Sequence, residues 1–177
     1  KEFEFKNKYN PVEHMKSRLK TEKSIIDKLN KKGYEVTTKN MISHVHDIIG
    51  IRIVCSFLDD VYDIVDIIKS SKQFKIKEEK DYIKNVKPNG YRSYHLIVEI
   101  TAPYEDILGN NPGKFFAEIQ VRTIAMDSWA SLEHQMKYKH DIKNPELIVK
   151  ELKRCADELA ACDVSMQTIR NLINAEN

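Results

Sequence analysis

The sequence predicts an α+β domain: a mixed β-sheet flanked by helices and finished by a long C-terminal helix. Three observations predict it. Residues 48–57, Ile-Ile-Gly-Ile-Arg-Ile-Val-Cys-Ser-Phe, form a short β-branched run suited to a buried central strand. Residues 93–101 and 116–122 alternate with the period of two that a half-covered strand requires. After Asn144-Pro145, an N-cap followed by proline at the first helical position, apolar or small residues recur at Ile148, Leu152, Cys155, Leu159, Cys162, Met166, Ile169 and Ile173. Their spacing of 4, 3, 4, 3, 4, 3, 4 is a heptad seam, suited to packing on another helix and read here as a subunit contact.

The remaining elements follow in chain order. Residues 11–32 read as one helix, because Pro11 suits a first turn, Val12, Met15, Leu19, Ile26 and Leu29 keep a 3.6 period, and Gly33 stands at the C-cap position. Its other faces carry Lys16, Arg18, Lys20, Lys23, Lys28, Lys31 and Lys32, either a solvated face or a grip for phosphate. A helix with Val61, Ile64, Val65 and Ile68 follows the first strand, and Pro88-Asn89-Gly90 marks a turn. The strand after it sets Tyr94, Leu96, Val98 and Ile100 against Ser93, His95 and Glu99. In the next, Ala117, Ile119 and Val121 alternate with Glu118, Gln120 and Arg122, so three functional groups share a face. A helix with Trp129, Leu132 and Met136 completes the unit, expected to be a catalytic domain over 1–142 with a packing or oligomerisation helix over 143–177.

Composition narrows the function classes. The 177 residues carry 29 basic and 27 acidic side chains, a net charge of +2, so nothing pulls the whole molecule toward nucleic acid or an acidic membrane. An anion site must be local. No apolar run approaches the ~20 residues needed to span a bilayer. Cys55, Cys155 and Cys162 include no Cys-x-x-Cys pair, which argues against a disulfide framework or zinc ribbon and for a reducing, cytoplasmic location.

Asp47 at the mouth of the first strand and Glu118 on the later one lie far apart in sequence, yet neighbouring strands of one sheet can join them. Paired carboxylates among basic side chains can hold Mg²⁺ bridged to phosphate oxygens. Taken alone, surface solvation is the better explanation of two such residues. His44-Val-His46-Asp47 leads into a strand rather than a helical metal site, and His14, His134 and His140 read as packing or surface residues.

Five segments change that balance: Arg18-Leu19-Lys20 with Lys28; Asp47-Ile-Ile-Gly-Ile-Arg52; Asn89-Gly-Tyr-Arg-Ser-Tyr-His95; Glu118-Ile-Gln-Val-Arg-Thr123; and Trp129-Ala-Ser-Leu-Glu-His134. In this order, over about residues 10–140, they resemble the synthetase domain of the RelA/SpoT family, most closely its small, RelQ-like members. The resemblance implies a nucleotidyltransferase-like sheet that binds ATP and GDP or GTP, with GMP also admitted as acceptor, and makes (p)ppGpp and AMP. It implies that Asp47 is a Mg²⁺ ligand and Glu118 a second carboxylate that binds metal or takes the ribose 3′-hydroxyl proton. Arg18 and Arg52 would clasp adenine, and Lys20 and Lys28 the ATP phosphates. Tyr91 would stack on guanine, with Lys87, Arg92, His95, Gln120 and Arg122 about the acceptor. Such stacking is worth about 1–3 kcal/mol per base.

Asp47 and Arg52 have opposite parity in a straight strand, so a bulge or bend at Gly50 is expected to bring them to one side, unless Arg52 snorkels out of the core. Small relatives form tetramers whose central cleft binds the product as an activator. Here Glu13-His14 and Asp127, where an amide is usual, depart from that pattern, and the Asp127 charge would repel a phosphate-rich ligand. A homotetramer remains the expected assembly. The competing reading is a regulatory module that holds guanine nucleotide or RNA without turnover.

Overall fold

The computed structural model describes residues 9–137 and 144–176. The expected domain boundary at 142/143 and His140 lie outside them. One five-stranded sheet organises the chain: β1 (Val12–Leu19), β2 (Ile49–Cys55), β3 (Phe74–Asp81), β4 (Tyr94–Ala102) and β5 (Gly113–Thr123), in the spatial order β1-β2-β5-β4-β3. Only β2 and β5 pair in parallel, and the other three pairings are antiparallel. The helices are α1 (Glu22–Lys31), α2 (Thr38–His44), α3 (Leu58–Ser70), α4 (Ile124–Lys137) and α5 (Pro145–Ala175).

The expected helix over 11–32 is two elements. Residues 12–19 form the edge strand β1, and the helix begins only after Thr21, whose side chain accepts a hydrogen bond from the Ser24 amide. Pairing with β2 supplies this segment's backbone hydrogen bonds, and tertiary pairing overrides a weak helical pattern. Met15 and Leu19, two points of the supposed apolar stripe, are exposed. The charged residues between them suit an edge strand that must resist pairing with other chains. A second edge strand, β3, carries the sequence Phe-Lys-Ile-Lys-Glu-Glu-Lys-Asp, too polar to have been read as a strand.

One face of the sheet is core. Tyr94, Leu96 and Val98 of β4 and Ala117, Ile119 and Val121 of β5 are buried against Val61, Val65 and Ile68 of α3. The alternation that identified these strands therefore also decides what faces the other way. A smaller cluster joins Trp129 of α4 to Leu152 and Ala156 of α5, and the Trp129 indole N–H donates to the Leu152 carbonyl at 2.8 Å. The heptad seam thus divides. Leu152 is buried in the domain, whereas Cys155, Cys162, Met166 and Ile169 are exposed.

The expected turn closes with the Gly90 amide donating to the Lys87 carbonyl at 2.8 Å. Gly90 has φ +90°, and a Cβ there would stand 2.6 Å from Ala156 Cβ and 3.2 Å from Lys153 Cα on α5. The turn and the helix touch because this residue has no side chain. Replacing Gly90 by Ala is expected to cost about 2 kcal/mol or more, through left-handed strain and overpacking. A urea midpoint lowered accordingly, with faster hydrogen exchange in α5 near Ala156, is the expected result; an unchanged midpoint would refute this contact.

Candidate active site

The site is laid out by strand register. Arg52 stands opposite Gln120, which stands opposite His95, while Gly50 and Ile97 flank Glu118. At the edges, Lys16 pairs with Arg52, Arg18 with Gly50, Lys80 with His95 and Glu78 with Ile97. Residues in register on neighbouring strands have Cβ atoms about 5 Å apart on one face. One row therefore crosses the sheet as Lys16, Arg52, Gln120, His95, Lys80, and the next as Arg18, Gly50, Glu118, Ile97, Glu78.

The expected bulge at Gly50 does not occur: β2 keeps regular register with β5 from Ile49 to Cys55. Asp47 precedes the strand, in a turn, so strand parity does not govern its direction. Gly50 serves a different purpose. A Cβ there would lie 3.4 Å from Arg18 Cγ, so its absence leaves room for the Arg18 stem across the sheet.

Asp47 is met by two lysines. Lys20, whose amide continues the ladder by donating to the Ile48 carbonyl at 2.8 Å, places its Nζ 3.1 Å from Asp47 Oδ2. Lys28 of α1 places its Nζ 2.8 Å from Oδ1. Burial pushes the Asp47 carboxyl up, but the two ammonium groups outweigh it and hold the pKa below the ordinary value. Oδ1 is itself buried and receives no well-directed hydrogen bond.

Around Glu118 the side chains close a ring. Arg122 Nη2 donates to Tyr91 Oη at 2.7 Å and to Gln120 Oε1 at 2.8 Å. Gln120 Nε2 donates to Glu118 Oε2 at 2.8 Å. Tyr91 Oη lies 2.8 Å from His95 Nε2, and His95 Nδ1 lies 3.2 Å from Glu118 Oε1. One proton arrangement satisfies every link: the tyrosine hydroxyl donates to Nε2, and Nδ1–H donates to the carboxylate. Burial pushes the Glu118 carboxyl up; the His95 and Gln120 contacts prevail and hold it below its usual range. At neutral pH it is an ionised acceptor.

Two cavities adjoin this ring. One, of about 220 Å³, is lined by Lys16, Arg18, Asp47, Arg52, Glu118 and Gln120. The other, of about 170 Å³, is lined by Glu78, Lys80, Tyr82, Lys87, His95 and Glu118. Glu118 belongs to both, and so forms the wall between them. Lys87 Nζ lies 4.3 Å from the centroid of the Tyr82 ring and 4.8 Å from that of Tyr91.

The structure therefore brings Asp47, Glu118, Arg18, Lys20, Lys28, Arg52, Tyr91, His95, Lys87, Gln120 and Arg122 together about one groove. It does not bring Arg92 there: its guanidinium donates to the Ala156 carbonyl at 3.1 Å and to Asp157 Oδ1 at 2.9 Å, on α5. Sequence reasoning passed over Tyr82 and Lys80 and put Lys16 on the wrong element. Lys16 was read as part of a helical face, and Lys80 stands on the unrecognised strand β3. A register shift between Ile76 and Glu78 turns Glu78 and Lys80 away from the core side that Phe74 and Ile76 share, so alternation along β3 would not have revealed them, and nothing local marked Tyr82.

Comparison with known proteins bears on the same residues. The model of the region found in RelA / SpoT proteins matches residues 17–143. GTP pyrophosphokinase YwaC of Bacillus subtilis (strain 168) is 46% identical over 166 residues, covering 94% of this chain and 77% of its own length. GTP pyrophosphokinase YjbM of the same organism is 33% identical over 168 residues, covering 95% and 76%. Among solved structures, small alarmone synthetase 2 from Bacillus subtilis superposes with a TM-score of 0.82 at 43% identity, over 95% of this chain and 85% of that one. Small alarmone synthetase 1 from Bacillus subtilis, bound to its product pppGpp, gives 0.83 at 33% identity, over 97% and 84%. The chain belongs to the RelA/SpoT family.

Proposed function

We propose that the chain is a Mg²⁺-dependent GTP/GDP pyrophosphokinase, moving the β,γ-pyrophosphate of ATP to the ribose 3′-hydroxyl of GDP or GTP, with GMP also admitted, and releasing AMP. The observation that carries this reading is Glu118 lining two adjacent cavities, one beside Asp47, Arg18 and Arg52 and the other beside Tyr82, Lys87 and His95. A donor in the first and an acceptor in the second would meet across one carboxylate. The relatives named as GTP pyrophosphokinases and the product-bound alarmone synthetase support it.

In the reaction the 3′-oxygen bonds to the β-phosphorus, the bond from that phosphorus to the α,β-bridging oxygen breaks, and AMP departs with that oxygen. The proton of the acceptor hydroxyl passes to solvent water as the new bond forms. Little covalent work falls to the protein, whose task is alignment and charge neutralisation. Arg18 and Arg52 hold the adenine, and Lys20 and Lys28 turn from Asp47 to the phosphates. Tyr91 and Tyr82 offer rings to the guanine, and Lys87 moves from those rings to the acceptor phosphates.

Asp47 and Glu118 fit a hard cation: both are carboxylates, and Asp47 Oδ1 is buried without a directed hydrogen bond. Mg²⁺ held there would neutralise phosphate charge and orient oxygens. Glu118, ionised and hydrogen-bonded on both oxygens, suits orientation better than proton abstraction.

The exposed Met166, Ile169 and Leu172 of α5 support a homo-oligomer, a tetramer built through the terminal helices. No helix among the described residues is long and apolar enough to cross a membrane. Substrate nucleotides and free thiols fit a cytoplasmic enzyme.

Incubation with labelled ATP, GDP and Mg²⁺ should yield guanosine tetraphosphate and AMP, and nothing after chelation by EDTA. Nucleotide retained without turnover would instead favour a regulatory module. Asp47→Asn and Glu118→Gln should each lower turnover by about 100-fold or more. Light scattering at micromolar concentration should show several protomers, and a monomer would overturn the assembly. Because the Glu118 carboxyl lies below its unfolded value of about 4.3, it stabilises the fold above that pH, and the contribution disappears as pH falls through the folded value. Urea unfolding across this window should show a shallower pH dependence in Glu118→Gln than in the parent, and equal slopes would contradict the depressed pKa.

A further inference from the structure

Asp127 sits in the first turn of α4, where the helix dipole favours a carboxylate, and its side chain is only 15% exposed. Oδ1 meets two guanidinium groups, Arg52 Nη1 at 3.2 Å and Arg122 Nη1 at 3.0 Å. His14 Nε2, on β1, lies 4.0 Å from Oδ2. These two arginines belong to different halves of the groove. Arg52 lines the cavity assigned to ATP. Arg122 holds Tyr91 and Gln120, and through them His95 and Glu118 on the acceptor side.

Arg122 is 4% exposed, so two like charges are drawn together in a poorly solvated place. Burial lowers the Arg52 pKa, and the Arg122 charge lowers it further. Arg52 Nε is buried without a hydrogen-bond partner, so among the described residues Asp127 supplies its short ion pair. A buried cation deprived of its partner costs far more than an exposed one. The repulsion that the Asp127 charge was expected to exert on a phosphate-rich ligand is correspondingly reduced, because that charge already faces two cations.

We infer that Asp127 is a positioning residue for pyrophosphate transfer: by bridging Arg52 and Arg122 it fixes the donor-side cavity in register with the acceptor-side ring. This rests on the proposed reaction. Without the bridge Arg52 still lines the donor cavity and Arg122 still holds Tyr91 and Gln120, so the loss falls on the relative placement of attacking oxygen and β-phosphorus. A misplacement of about 1 Å in such a geometry costs about 100-fold in rate.

The test compares the parent with Asp127→Asn, which keeps the shape and removes the charge, and Asp127→Glu, which restores a carboxylate. Initial rates are measured against ATP and GDP separately, with thermal unfolding in parallel. Asp127→Asn should lower kcat by about ten-fold or more while each KM changes by less than about three-fold, and Asp127→Glu should recover a substantial part of kcat. Unchanged kcat in Asp127→Asn overturns the inference. So does a loss confined to KM, or a rate loss that tracks the fraction unfolded and is equally severe in Asp127→Glu. A parent protein that makes no guanosine tetraphosphate overturns the proposed reaction instead, a result distinct from all of these.

Discussion

The parallel register of β2 on β5 is the constraint on which the site depends. It places Gly50 beside Glu118 and Arg52 beside Gln120, and β4 then adds His95 on the far side. The apolar face enforces this register. Ala117, Ile119 and Val121 are essentially buried against α3, and burying a large apolar side chain is worth about 1.5–3 kcal/mol. A slip of one residue would put Glu118, Gln120 and Arg122 into that core and expose the three apolar groups. The side chains of the groove are thus positioned by apolar residues on the opposite face of the sheet.

The groove concentrates charges of both signs, and their pairing makes the concentration tolerable. Arg122 is nearly fully buried, yet its guanidinium finds Ser93 Oγ, Asp127, Tyr91 and Gln120. Buried ions are costly unless their hydrogen-bonding capacity is met, and here it is met by side chains from β5, α4 and the segment leading into β4. Lys20 and Lys28 likewise balance Asp47, at 3.1 and 2.8 Å.

Strands β4 and β5 were legible in the sequence because each buries one face and exposes the other, which writes a period of two into the residues. From them came Glu118, Gln120, Arg122 and His95, on the right face. β1 was misread because an edge strand contributes little to a core: Met15 and Leu19 are exposed, so their spacing recorded no packing at all. β3 failed for the same reason. Asp47 was found through its motif rather than its parity, because a turn residue obeys no strand alternation. Arg92 misled in the opposite sense: its motif pointed to the groove, while Asp157 and the Ala156 carbonyl, some 65 residues away in sequence, draw its side chain to α5. Long-range partners of that kind leave no local trace.

That diversion of Arg92 ties the groove to the C-terminal helix. Tyr91 stands between two residues anchored on α5: Gly90, which fits against Ala156 only for want of a Cβ, and Arg92, which bonds to Ala156 and Asp157. Asn89, one residue earlier, donates to Glu133 of α4 at 3.2 Å. The Tyr91 ring is therefore carried by a turn clamped to both helices, and its hydroxyl is clamped again by Arg122 and His95. A side chain held at both ends loses little further entropy when a base is laid on it, the advantage of preorganisation. The same helix exposes apolar residues toward both ends, Leu147 and Val149 in its first turn and Met166, Ile169 and Leu172 beyond Ala156, while Leu152 and Ala156 between them pack on Trp129 and the turn.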